Sequence, residues 1–138
     1  MSFFVINKKK WLNVQTVGRI DKAIYRCVSD NITTDEVVIT DERISHVRER
    51  HLNDFEKFFS YIPMIIADPD YIIEANKPNT AVLLKEIIDN GKKVKLVLRI
   101  SVKNDPKGYK NSIITFMHIG DKTWKKTLKN KNILYTKE

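Results

Sequence analysis

Residues 44–51 read ISHVRERH and put two of the chain's three histidines and two arginines into eight positions. Imidazole gains and loses a proton near neutral pH, so a histidine beside cationic groups suits general acid or base chemistry. Metal chelation fits less well. His46 and His51 are five apart, about 140° around a regular helix, whereas a helical chelating pair sits at i and i+4. With a single cysteine, Cys27, and no further histidine cluster, no metal site and no cofactor are expected. His51 shares a stripe with Ile44, Val47 and Phe55, so a core histidine satisfied by a backbone partner is the competing reading. His46 faces away from that stripe, which fits a solvated position equally well. Arg48 and Arg50 are placed either to pair with Glu49 or Glu42 or to bind phosphate.

Further along, Arg99 interrupts the aliphatic run VKLVLRISV. A planar, permanently charged fork suits a phosphate or a buried carboxylate, and Glu86 on the preceding strand is the ordinary partner. Ser112 and Thr115 bring hydroxyls into SIITFMHI, on opposite faces if that strand is regular. Trp124 beside Lys125 and Lys126 would stack a base next to a phosphate clamp or would cap the core. His118, late in the same strand, carries no chemical signal. No glycine-rich phosphate loop, GxSxG motif or paired-carboxylate pattern is present.

The elements that must position these groups follow from hydrophobic period and turn chemistry. NVQTVGRI and AIYRCVS read as short strands, EVVIT as another, and Thr40 as an N-cap followed by the acidic first turn Asp41-Glu42. A helix then runs toward His51. Asn53 and Glu56 suggest a restart, and Phe55, Phe58, Phe59, Ile62, Ile65 and Ile66 form the apolar face of a second helix that kinks or restarts at Pro63. From Tyr71 onward the period is two: YIIEA, TAVLLKEII, VKLVLRISV and SIITFMHI, joined by short turns such as Asn90-Gly91, predict a four-stranded antiparallel meander. TWKKTLKN reads as a short basic helix. The fold class is therefore α+β, with two helices packed on one face of the meander and a basic, open opposite face. Residues 1–37 form a short β-rich N-terminal extension and residues 38–138 the main domain.

Charge is uneven along the chain. Residues 1–84 hold 11 Lys and Arg against 12 Asp and Glu, while residues 85–138 hold 14 against 5. A basic second half favours a polyanionic partner, with nucleic acid the commonest. No apolar run approaches a membrane span, the N-terminal pattern is unlike a secretory signal, and the lone cysteine suits a cytoplasmic setting; a membrane partner is not expected.

The stretches ITDERISHVRERH, NTAVLLKEI followed by KLVLRI, and YKNSIITFMHIGDKTWKKTLKNKNILY, in this order, resemble a phage-associated member of the barnase/EndoU/colicin/RelE-like (BECR) nuclease superfamily. The resemblance covers residues 38–138. It implies a helical pair on an antiparallel meander and metal-independent cleavage of RNA, with a 2'-hydroxyl attacking the adjacent phosphate. Carried over by position, it makes His51 the general acid or base and His46 the second proton-transfer group. Arg99 would stabilise the phosphate and Ser112 or Thr115 would position it, while Lys85, Lys110, Lys125 and Lys126 would hold the RNA backbone. Transfer or messenger RNA would be the substrate of such a toxin or phage effector, and a cognate inhibitor or immunity protein its further partner. A non-catalytic RNA-binding module and a protein-interaction module of phage origin are the alternatives on the same fold.

Overall fold

The computed structural model describes residues 2–7 and 10–138, without the side chains of residues 2–12 and Leu52. The N-terminal extension expected at 1–37 thus includes Met1, Lys8 and Lys9, which lie outside the described residues. Strands β1 (Ser2–Asn7) and β2 (Lys10–Arg19) are followed by helix α1 (Lys22–Tyr25) and by β3 (Glu36–Thr40). The main helical run is α2 (Asp41–Arg50), α3 (Leu52–Phe58), a 3-10 turn (Phe59–Tyr61) and α4 (Ile62–Ala67). Then come β4 (Tyr71–Glu74), β5 (Thr80–Glu86), β6 (Lys93–Arg99), β7 (Asn111–Ile119), α5 (Asp121–Asn130) and β8 (Ile133–Thr136).

The mixed α+β class holds, but the sheet is larger than the four-stranded meander that turn signals predict. Its order is β1-β2-β3-β7-β6-β5-β4-β8. Strands β4 to β7 do pair in sequence with antiparallel register, and they form only part of the sheet. β8 adds an antiparallel strand beside β4. On the other side β3 pairs with β7 in parallel, bringing β2 and β1 with it, so strands from both sides of the expected boundary at residue 38 share one sheet. A parallel partner more than seventy residues away leaves no turn signal between the strands, which is why local pattern misses it.

Two local expectations are also corrected. AIYRCVS is not a strand: Asp21 accepts from the Ala23 amide at 2.9 Å and caps α1. Tyr25 is then fully buried, its hydroxyl donating to the Ile66 carbonyl at 2.6 Å. The two expected helices are three α segments. His51, at φ −136° and ψ 56°, ends α2 and starts α3 without any side-chain cap, in place of a restart at Asn53. Pro63 falls in the first turn of α4, where its missing amide hydrogen leaves no helical bond unmade.

Alternation along β6 divides the two faces of the sheet. Val94, Leu96 and Leu98 are buried against Val47, Phe55, Phe58, Ile62, Ile65 and Ile66 from the helical run, forming the main core. Lys93, Lys95, Val97 and Arg99 project from the opposite face. That outer face is open only in part. Trp124 and Leu128 of α5 pack over Tyr71, Ile73, Val82, Leu84 and Ile119, covering the end of the face nearest Lys93. Among the described residues no helix is long and apolar enough to cross a membrane.

Candidate functional site

A cleft lined by charged and hydroxyl side chains lies at the other end of the outer face. β3 and β7 are paired only at Val37↔Asn111 and Val38↔Ser112 before they part. They part because β3 ends at Thr40, whose hydroxyl accepts from the Arg43 amide at 3.0 Å and turns the chain into α2. The gap is a cleft of about 280 Å³, with Glu42 and Arg43 on one wall, Arg99, Tyr109 and Lys110 on the other, and Ser112, Ile113 and Ile114 along β7.

A β-bulge shapes its floor. Arg99 pairs with Ser112 and Leu98 with Ile113, but Val97 pairs with Thr115, so Ile114 is the extra residue. The strict alternation expected for SIITFMHI puts Ser112 and Thr115 on opposite faces. The bulge resets that alternation, and both hydroxyls fall on the face that carries Arg99 and Val97. Sequence period gives no warning of one inserted residue.

Arg99 is held by Asp105, not by the expected Glu86, which pairs with Lys93. Its two terminal nitrogens bond the two Asp105 oxygens at 2.8 and 3.1 Å, and one of them also donates to the Ile100 carbonyl. Three of its five N–H groups are thereby engaged and two remain available. The loop after β6 is fixed by the same residues. Asp105 accepts from the Val102 amide at 2.8 Å, and fully buried Asn111 ties Ser101 to the carbonyls of Thr34 and Glu36. Lys110 bonds Glu36 at 2.8 Å. Glu42 and Arg43 make no ion pair among the described residues. Arg43, Arg99 and Lys110 thus line a small concavity with one uncommitted carboxylate, Glu42, in reach of the same space.

These pairings shift the carboxyls involved. Burial alone would raise Asp105, but the Arg99 fork and the Val102 amide outweigh it and hold it below the usual carboxylate range. The Lys110 hydrogen bond, with that of Thr16, lowers Glu36. The Lys137 hydrogen bond, with the charge of Lys85, lowers Asp68. Carboxyls that ionise more readily folded than unfolded contribute stability above the unfolded value of about 4 and lose it as pH falls through the lowered folded value. Thermal melts should therefore hold a plateau above about pH 5 and drop progressively below about pH 4. A melting temperature unchanged down to about pH 2 would contradict these ion pairs.

The remaining residues singled out in the sequence lie elsewhere. His51 stands at the α2–α3 joint, between Val47 and Phe55, which belong to the core on the helical face, and it does not line the cleft; Arg99 projects from the other face. His46 is half-buried on α2, three and four residues beyond Arg43 and Glu42, and so on their flank of the helix. His118 stacks on Phe58 at 6.1 Å. Trp124 meets Tyr71 edge-on at 5.8 Å under Lys93, which makes it a packing residue. Lys125 and Lys126 are exposed on α5.

Lys85 is not a surface phosphate ligand. Its side chain is 4% exposed, with the ammonium donating to the Asp68 carbonyl at 2.7 Å and facing Asp70 at 3.2 Å. Lys85→Met should cost about 2–3 kcal/mol in urea melts, because it takes the ammonium partner from the part-buried Asp70 carboxylate and the Asp68 carbonyl while Asp68 keeps Lys137, and should leave any RNA cleavage by the folded variant unchanged. Glu42, Arg43 and Tyr109 are the cleft residues that pattern reading missed. The one local signal for the first two was their place in the first turn after the Thr40 cap.

Comparison with known families places the chain. Residues 13–136 match the family described as phage-Barnase-EndoU-ColicinE5/D-RelE like nuclease2. The chain belongs to this nuclease family. The match starts well before residue 38, where the resemblance began, and takes most of β2, with α1 and β3, into the family region of this BECR-type chain. No curated protein and no solved structure matches the chain. Among the described residues of this nuclease-family member, no group of His, Cys, Asp or Glu is arranged to hold a metal ion.

Proposed function

We propose that this nuclease-family chain is an endoribonuclease that works without a metal and uses the β3/β7 cleft as its reacting centre. The observation that supports this best is the meeting of Arg43, Arg99, Lys110, Glu42 and Ser112 in one cleft. Arg99, fixed in orientation by Asp105, presents its two remaining N–H groups to a phosphate, and Arg43 and Lys110 add charge around it. Ser112 and Thr115 offer hydroxyls to the non-bridging oxygens from the same face. Glu42 takes the proton of the ribose 2'-hydroxyl as that oxygen bonds to phosphorus. The bond to the 5'-oxygen breaks, and His46, one turn along the same flank of α2, returns a proton to the leaving oxygen. The products are a 2',3'-cyclic phosphate and a 5'-hydroxyl. A toxin or phage-effector role, acting in the cytoplasm on transfer or messenger RNA and held by a cognate inhibitor, is the biological setting that fits such chemistry.

The test is incubation of purified protein with total RNA in excess EDTA. Fragments ending in 2',3'-cyclic phosphate are expected. Cleavage that appears only on adding a divalent metal overturns the mechanism, and salt-sensitive binding with no cleavage favours an RNA-binding module instead.

A further inference from the structure

Helix α5 carries a feature that neither packing nor the cleft uses. Lys122, Lys125, Lys126 and Lys129 recur at i, i+3, i+4 and i+7, all exposed. That spacing gathers them into one stripe. Trp124 and Leu128, which anchor the helix on the sheet, lie on the opposite side. None of the four lysines makes an ion pair among the described residues. Like charges at these spacings weaken a helix by a few tenths of a kcal/mol per pair. Lys129 in the last turn suits the helix dipole and Lys125 faces the charge of Asp121 one turn back, but Lys122 in the first turn and Lys126 gain nothing of the kind, so helix stability does not explain the whole stripe.

Its position gives it a use. α5 lies on the outer face, the face from which Arg99 projects, and Asp121 at its start pairs with Lys93 at 2.9 Å. Lys93 and Arg99 are the two ends of β6, so the stripe begins about 20 Å from the cleft at the usual rise per strand residue. Lys95 projects from the same face between them. We propose that the α5 lysine stripe is a second RNA-binding surface that holds the substrate's backbone several nucleotides away from the scissile phosphate. The natural substrate is then an RNA long enough to occupy cleft and helix together. The lysines act as point charges on phosphates, so the stripe selects length and charge and not sequence. This proposal rests on the cleft being the reacting centre, but its binding part can be measured separately.

The experiment compares the wild-type chain with a variant carrying Lys→Gln at 122, 125, 126 and 129, and with the corresponding Lys→Arg variant. Binding is read by fluorescence anisotropy with a roughly 20-nucleotide 2'-O-methyl RNA, and cleavage with a dinucleotide and with an unmodified RNA of the longer length. The Lys→Gln variant should bind the long RNA about 10- to 100-fold more weakly, with a salt slope shallower by about 3. It should raise KM for the long substrate alone, leave dinucleotide cleavage unchanged, and be rescued by Lys→Arg. Unchanged affinity of a folded Lys→Gln variant for the long RNA overturns the proposal. So does a wild-type chain that binds phosphatidylserine vesicles but not RNA at about 150 mM salt. If the stripe governs binding but the wild type cleaves neither substrate, the cleft reading fails and the RNA-binding surface stands.

Discussion

Arg99→Ala should lower RNA cleavage at least about a hundredfold while the protein remains folded. The size of the effect comes from where the guanidinium sits. Asp105 engages both terminal nitrogens of Arg99, so the donors that remain are fixed before substrate arrives and need no reorganisation as charge develops on the phosphate. Removing such a donor is among the most damaging single changes an active site can suffer. The same substitution strands Asp105, whose side chain is 12% exposed, and some stability is lost with it. Two companions separate the effects. Arg99→Lys keeps the charge but not the fork, and should stay folded while losing most of the activity. Asp105→Asn keeps the arginine but loosens its orientation, and should raise KM and lower kcat by less than Arg99→Ala does. Thermal melts beside each assay identify the folded variants. If Arg99→Ala, folded at the assay temperature, cleaves within about threefold of wild type, the cleft is not where the phosphate reacts.

Glu42→Gln is expected to show the second large effect, a drop in kcat of about 10²- to 10⁴-fold with little change in RNA affinity. The amide preserves size and hydrogen bonding but cannot take the 2'-hydroxyl proton. Glu42 is exposed in the first turn of α2 and makes no structural ion pair among the described residues, so this change should leave the melting temperature within about a degree or two. The decisive comparison is with His51→Ala. Should that variant, folded, lose cleavage while Glu42→Gln keeps it, the reaction takes place on the helical side of the sheet and not in the β3/β7 gap.

Much of the fold is written locally. Period-two stretches bounded by Asn-Gly and Asn-Asp-Pro turns predict β4 to β7 and their antiparallel order, because neighbouring strands joined by short turns have nowhere else to pair. The cap at Thr40, the helix restart at Pro63 and the two-sided character of β6 are legible for the same reason: each depends on residues within one or two turns of chain. The basic second half points to nucleic acid without reference to any fold, because net charge is a property of composition.

What the sequence alone could not determine is everything that joins distant segments. Parallel pairing of β3 with β7 creates the gap that becomes the cleft, and no turn connects those strands. The bulge at Ile114 moves Thr115 onto the face of Ser112, a one-residue shift with no compositional mark. Arg99 finds Asp105 in the following loop instead of Glu86 on the neighbouring strand, and Lys85 is taken inside by Asp68 and Asp70. Residue types and spacing fix which chemistry a chain possesses, since periodicity and capping act over a few residues. Which of those groups share a space is decided by long-range packing, where a single register shift or a distant carboxylate outweighs any local preference.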